Sequence, residues 1–184
     1  MSAFNSGLPN QPDKVVPPPT PANLTTIVVV GPGSFVPRAS TKWMRVTLLG
    51  GGGGGGALGS AWSGNASGGQ AGQPMSMWML KTQSAYAYQV GQAGVAGAAG
   101  GPISGTAGGN TTFGSLTAYG GLPGTAQGSG ANSYEPRGQS CCYGQGGVGG
   151  GGFATGYGAG GGGAVSSNAP GGNGSGGLLI IEEY

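Results

Sequence analysis

The chain has 184 residues with 48 glycines, 13 prolines, two cysteines and no histidine, and its net charge is only +2. This length suits one domain, or one domain with an arm. The six basic residues are scattered, so the electrostatic footprint of a nucleic-acid-binding protein is missing. No stretch approaches the roughly 20 apolar residues of a membrane span, and we expect no secretory signal.

This glycine and proline content is typical of low complexity or disorder. However, 45 of the 48 glycines lie between residues 50 and 177, and apolar strand-like segments flank that block on both sides. Disordered chains usually combine low hydrophobicity with high charge, whereas this chain is 36% hydrophobic and 5% charged. We therefore expect an ordered glycine-rich domain over residues 25–184, with a disordered or silk-like linker as an alternative.

Residues 1–24 contain six prolines and are predicted to form an extended arm, because proline restricts φ and prevents helix formation. A loose spacer and a tether that docks on another protein both fit this composition. We favour the tether. Its expected anchoring residues are Val15, Val16, Pro17, Pro18 and Pro19.

The β framework is predicted from β-branched runs and alternating apolar residues. A first strand is expected at residues 25–30, a turn at 31–33 and an extended piece at 34–37. A strand at 43–49 should place Met44, Val46 and Leu48 on one face. Further strands, each a short island within or after the glycine-rich block, are predicted at 75–81, 85–90, 113, 116–119 and 178–181. Trp78 and Tyr88 are assigned to the core, and the apolar last strand to a buried or central position.

Seven consecutive glycines follow directly after residue 49. They cannot form a side-chain core, so they are either a flexible linker or an extended, polyproline-II-like segment bonded laterally to similar segments. Glycine permits the close backbone approach that lateral bonding needs. Residues 91–109 and 144–177 are further candidates. The predicted fold is therefore mainly β and irregular, with no significant α-helix: a small β framework carrying a bundle of polyglycine-II helices.

Two motifs together carry a family resemblance: Trp43-Met-Arg-Val-Thr-Leu-Leu followed by seven glycines, and the closing Leu178-Leu-Ile-Ile-Glu-Glu-Tyr184. Residues 25–184 resemble the glycine-rich, adhesin-like domain of tail-fibre and tail-tip proteins of tailed bacteriophages. The resemblance implies a polyglycine-II bundle whose far loops contact the host surface. It also implies a virion protein assembled in the host cytoplasm. The implied partners are other virion proteins through residues 1–24 and a host receptor, either a glycan or an outer-membrane protein; a homo-oligomer is compatible with this.

Catalytic chemistry finds little support in the sequence. Without histidine, neither a Ser–His nor a Cys–His dyad can form. Glu182 and Glu183 are adjacent in a predicted strand, so they should face opposite sides and cannot act as a glycosidase pair. Cys141 and Cys142 cannot complete a zinc site and are expected to be free thiols. We expect neither an enzyme nor a cofactor or metal.

Recognition is the function that the remaining polar and aromatic residues favour. Residues 131–143 hold one glycine and both charges found between Lys81 and Glu182. Tyrosine and arginine are favoured at binding hot spots. The candidate receptor contacts are Tyr134, Glu135, Arg137, Tyr143, Trp62, Phe153 and Tyr157. A plainer interpretation is that the charges only solubilise a loop and the aromatic residues cap the bundle.

The expected function is a virion structural protein of the tail fibre or tail tip that contacts the host surface. One alternative is a purely structural head or tail decoration that is anchored by residues 1–24. An ice-binding protein is an alternative of another class, but it would need rows of threonine or alanine at a fixed period, which the sequence lacks.

Overall fold

A computed structural model describes residues 20–60, 64–126 and 135–184. Over these ranges the chain forms strands and extended segments without α-helix, which confirms the prediction of a mainly β fold. No helix suited to crossing a membrane occurs in the same ranges. The strands are β1 (Asn23–Ile27), β2 (Gly31–Phe35), β3 (Trp43–Leu49), β4 (Pro74–Leu80), β5 (Tyr86–Val90), β6 (Thr111–Phe113), β7 (Leu116–Ala118), β8 (Gly144–Gln145), β9 (Thr155–Gly156) and β10 (Leu178–Glu183).

Two four-stranded antiparallel sheets pack into a sandwich. The first has the order β1-β10-β3-β4 and the second the order β2-β5-β6-β7, while β8 and β9 form a separate pair. The sandwich core contains Met44, Val46 and Leu48 from β3, all fully buried as their alternation predicted. Phe113 from the second sheet stacks on Tyr86 with ring centroids 5.1 Å apart. The predicted pairing of β6 with β7 and the central position of β10 are also confirmed.

The first two strands differ from the prediction. β1 begins at Asn23, so two residues assigned to the arm belong to the sheet, and the turn lies at residues 28–30. The Gly-Pro-Gly sequence at residues 31–33 is part of β2 rather than a turn. A proline is tolerated in β2 because β2 is an edge strand. Pro32 lacks an N–H, but at the edge of a sheet this costs no hydrogen bond between central strands. The Tyr88 ring lies over Gly33, where a Cβ would overlap it.

The assignment of Trp78 to the core is wrong. Trp78 lies on the outer face of β4 and is 49% exposed, whereas Met75 and Met79 take the inward positions. Tyr88 is half-buried and packs against the core, as expected. The strands predicted at 75–81 and 85–90 lie in different sheets: β4 pairs with β3, and β5 pairs with β2.

Glycine-rich segments extend from one end of the sandwich. At that end of the sandwich, β3, β5 and β7 each lead into a glycine-rich segment, and β4, β6 and β10 each follow one. The six segments are residues 50–58, 66–73, 91–97, 103–110, 119–126 and 169–177. A seventh segment, residues 158–164, follows β9 and is fully buried. We call these seven segments, together with residues 135–157 packed beside them, the bundle. Leu58, Ala66, Ala164 and Ala169 form a small apolar cluster at the end of the bundle far from the sandwich.

Residues 50–58 occupy the middle of the bundle, and their backbone hydrogen bonds repeat every third residue. The N–H groups of residues 50, 53 and 56 donate to carbonyls 73, 70 and 67; those of 51, 54 and 57 donate to 109, 106 and 103; and those of 52, 55 and 58 donate to 175, 172 and 169. The carbonyls of residues 51 to 56 accept from 121, 94, 161, 124, 97 and 164 in that order. The middle segment is thus bonded to three antiparallel and three parallel neighbours.

These contacts explain why the middle segment is glycine. A Cβ at any of residues 50–56 would overlap a carbonyl oxygen of a parallel neighbour; at Gly53, for example, it would overlap that of Leu122. Backbones this close leave no room for a side chain, while every buried N–H and C=O still needs a partner. Glycine is therefore required here for close approach.

Candidate functional site

A groove with a volume of about 490 Å³ lies on one side of the bundle. Its floor is the segment 66–73, and its walls are residues 122–125 and 135–139. We call it the side groove. Its lining residues are Ser67, Gly68, Gln70, Leu122, Pro123, Thr125, Glu135, Arg137 and Gln139.

Backbone hydrogen bonds hold both walls against the floor. On one side, Gln70 N donates to Leu122 O at 2.9 Å. On the other, Gly68 N donates to Glu135 O at 3.0 Å. Because backbone groups three residues apart contact the same neighbour, Ser67 and Gln70 share one side of their segment and both line the groove. Its side chains are therefore presented by a hydrogen-bonded backbone scaffold.

Some of the polar side chains in the groove are held by local hydrogen bonds. Ser67 Oγ accepts a 2.7 Å hydrogen bond from Thr125 N. Gln139 Oε1 accepts one from Ala71 N at 3.3 Å, and Glu135 Oε1 accepts one from Arg137 N at 3.2 Å. The side chains of Glu135, Arg137 and Gln139 are exposed, so their remaining hydrogen-bonding capacity faces solvent.

The chemistry of the groove is suited to binding a ligand. One carboxylate, one guanidinium, two amides and two hydroxyls lie beside the apolar pair Leu122–Pro123. Such a set can donate and accept hydrogen bonds and cover an apolar ligand face, as specific binding sites do. Within residues 20–60, 64–126 and 135–184, no three His, Cys, Asp or Glu side chains come together to hold a metal ion.

The structure brings two of the predicted contact residues together, Glu135 and Arg137. Tyr143 and Tyr157 lie beside β8 and β9, where Tyr157 N donates to Tyr143 O at 3.0 Å. Phe153 is 69% exposed and lies next to residues 169–175, with segment 158–164 between it and the groove. Trp62, Tyr134 and the anchoring candidates Val15, Val16, Pro17, Pro18 and Pro19 lie outside the described residues.

The other groove residues, above all Gln70 and Gln139, were not predicted from the sequence. One signal was available: Ser67 and Gln70, like Leu122 and Thr125, are three residues apart within glycine-rich segments. In an extended helix with about three residues per turn, that spacing places both side chains on one side. Which segments lie next to each other could not be read from the spacing.

Both cysteines are free thiols, as expected. Cys141 is half-buried, and its Sγ lies 2.9 Å from Tyr157 O, to which it donates a hydrogen bond. Cys142 is exposed. Neither belongs to the side groove.

Comparison of the chain with protein-family models and with curated proteins finds no match. The functional interpretation therefore rests on the residues and on their geometry.

Proposed function

We propose that this chain is a structural component of a bacteriophage virion, located in the tail fibre or tail tip, that binds the host surface through the side groove. The observation that carries this proposal is the composition of the groove. Glu135 and Arg137 are the only charged residues between Lys81 and Glu182, and both line it together with Gln70 and Gln139. The groove thus combines the two charged side chains of the described bundle with amides, hydroxyls and an apolar pair.

In this proposal the bundle consists of polyglycine-II helices and serves as a rigid support. The three-residue repeat of the hydrogen bonds from residues 50–58 supports this, because such helices have about three residues per turn and bond only to neighbours. Each lateral bond contributes about 1 kcal/mol net. Recognition groups are commonly presented by such rigid scaffolds.

Residues 1–24 would attach the domain to other virion proteins. The direction of the strands supports this arrangement. β3 runs toward the bundle from Trp43 to Leu49, and β1 begins at Asn23, opposite Glu183 of β10. The chain therefore enters the sandwich at the end away from the bundle. Attachment at one end would leave the groove and the far loops free to contact a glycan or an outer-membrane protein of the host.

Binding of the labelled full-length protein to a panel of bacterial cells would test the proposal. Arg137→Ala and Gln70→Ala should each weaken binding about tenfold, as expected for hot-spot residues. Arg45→Ala is the matched control, since Arg45 is an exposed arginine on the sandwich. Tyr143→Ala tests the predicted aromatic contact that lies outside the groove.

Full binding by correctly folded groove variants would exclude the groove as the recognition site. If the wild-type protein binds no cell in the panel, a purely structural decoration becomes the better interpretation.

Amide hydrogen exchange tests the polyglycine-II bundle separately. The amides of residues 50–58 should be protected, and within 146–163 so should those of 147 and 160–162, because their N–H groups bond to neighbouring segments. Exchange of these residues at the rate of a free peptide would disprove the bundle.

A further inference from the structure

An exposed apolar cluster lies on the outer face of the first sheet. It consists of Trp43, Trp78, Leu80 and Tyr184, and we call it the outer cluster. Trp43 and Leu80 are paired across β3 and β4, and Trp43, Trp78 and Leu80 are 48%, 49% and 50% exposed. The rings of Trp78 and Tyr184 have centroids 4.8 Å apart. Half-exposed aromatic side chains grouped in this way mark an interaction surface.

Most other residues of this face are polar; its remaining apolar residues are Leu24 of β1 and the half-buried Ile180 of β10. The next positions toward the bundle are Thr47 and Ser76, whose hydroxyls are 2.9 Å apart. Arg45 pairs with Glu182 at 3.6 Å on the same face. The half-exposed aromatic side chains of this face therefore lie at the end of the sheet away from the bundle.

The arm enters the sheet at this same end. Ala22 N donates to Glu183 O at 2.7 Å, immediately before β1. Lys42 N and Trp43 N both donate to Tyr184 O, at 2.7 and 3.1 Å. The chain that precedes residue 20 therefore starts next to the outer cluster.

We propose that residues 15–19 of the same chain, Val-Val-Pro-Pro-Pro, lie across the outer cluster as a polyproline-II segment. Aromatic surfaces are the usual binding sites for such segments, because proline rings pack on aromatic faces and the preformed helix loses little entropy. The indole N–H and the phenol O–H are also suited to bond to its free carbonyls.

The dimensions agree with this assignment. Five residues in the polyproline-II conformation span about 15 Å. The distance from β1, where the arm enters, across β10 and β3 to β4 is three strand spacings, or about 14 Å. The segment is therefore long enough to cover Tyr184, Trp43 and Leu80 in turn. In this arrangement residues 15–19, expected from the sequence to be anchoring residues, pack on their own chain, and residues 1–14 provide the contacts with other virion proteins.

Proteolysis of the full-length protein tests the proposal. Trypsin cleaves after Lys14, directly beside the docked segment. Trp43→Ala/Trp78→Ala should accelerate cleavage at Lys14 about tenfold, as expected when aromatic anchors of an interface are removed. Val29→Ala is the control, because Val29 is an exposed apolar residue in the turn at the other end of β1. Equal cleavage rates in the wild type and the double variant would overturn the proposal.

A second measurement leaves the sheet unchanged and alters the arm. In a Trp62→Phe background, Pro17→Ser/Pro18→Ser/Pro19→Ser should increase acrylamide quenching of Trp43 and Trp78 and shift their emission to longer wavelength. The shielding should not change on dilution, because it is intramolecular. Loss of shielding on dilution would show that a second copy of the chain covers the outer cluster. Shielding that is unchanged by the proline substitutions would show that another partner covers it. Either result overturns the proposal.

Discussion

The Thr41 hydroxyl donates a 2.7 Å hydrogen bond to Oε1 of Glu183, between residues 142 positions apart in the sequence. The same carboxylate accepts bonds from Arg38 N at 2.8 Å and Asn23 Nδ2 at 2.7 Å. Glu183 is only 1% exposed, so one carboxylate joins β10, β1 and the loop before β3. Burial raises its pKa, but the hydrogen bonds from Asn23, Thr41 and Arg38 N and the charge of Arg38 outweigh it, and the pKa is lowered overall.

The first prediction concerns stability at acidic pH. Because the pKa of Glu183 is lower in the folded state, its contribution is fully present above the ordinary value of 4.5 and is lost as the pH falls through the folded value. Glu183→Gln should destabilise the protein by about 1–3 kcal/mol at pH 7 and reduce the acid dependence. Urea unfolding between pH 7 and pH 3 measures both effects.

Glu182→Gln is the matched control. Glu182 is partly exposed and makes one ion pair, so its replacement should cost less than about 1 kcal/mol. An unchanged acid dependence in Glu183→Gln would show that another group controls it.

The second prediction concerns the glycines in the middle of the bundle. Gly53→Ala should destabilise by about 3 kcal/mol or more, because its Cβ would overlap the carbonyl oxygen of Leu122. At Gly101, the nearest side-chain atom to an added Cβ is Ile103 Cγ1 at 3.6 Å, so Gly101→Ala should be neutral or stabilising by up to about 1 kcal/mol. Denaturant unfolding compares the two, and similar losses would argue against close backbone packing.

The third prediction concerns Thr111, where the bundle joins the sandwich. Its buried hydroxyl donates to Leu49 O at 2.6 Å and accepts from Gly91 N at 3.0 Å. Thr111→Val removes both bonds and should cost about 2–4 kcal/mol. Thr111→Ser keeps the hydroxyl and should cost about 1 kcal/mol for the lost methyl group. Thermal unfolding would contradict this account if valine were tolerated better than serine.

The fourth prediction concerns the two thiols. Cys142 should react rapidly with a thiol reagent, because it is exposed. Cys141 should react at least about tenfold more slowly than Cys142. Its half-buried thiol is hydrogen-bonded to Tyr157 O, so the reagent reaches it only after local opening of the structure. The time course of labelling should lose its fast phase in Cys142→Ser and its slow phase in Cys141→Ser. The opposite assignment would contradict the placement of this turn.

Local patterns predicted the elements whose cause is local. The alternation in β3 identified both its bounds and its buried face, because successive side chains point to opposite sides. Trp78 was misassigned for a physical reason: β4 carries apolar residues on both faces, so its alternation does not say which face is inward. Residues 31–33 can form a strand because β2 lies at a sheet edge and because the Tyr88 ring packs over Gly33. Neither feature can be predicted from the local sequence.

The site was less predictable than the fold. Charge identified Glu135 and Arg137, because charged residues are so rare in this chain. Gln70 and Gln139 join them only through hydrogen bonds between segments that are distant in the sequence, such as Gln139 N to Gly69 O. The three-residue period shows which side a residue faces but not which segment lies on that side.

The repeat of the bonds from residues 50–58 also restricts how the domain can change in length. Most segments are continuous with a strand at one end and hydrogen-bonded to neighbouring segments along their length. Inserting one or two residues into a segment would therefore direct its N–H groups to the wrong neighbours. Growth is compatible only with added triplets, matched in adjoining segments; in the proposed polyglycine-II geometry each triplet would extend the bundle by about 9 Å. The far loops at residues 98–102 and 165–168 lie beyond this ladder, so they are free to diverge while the reach of the domain changes only in discrete steps.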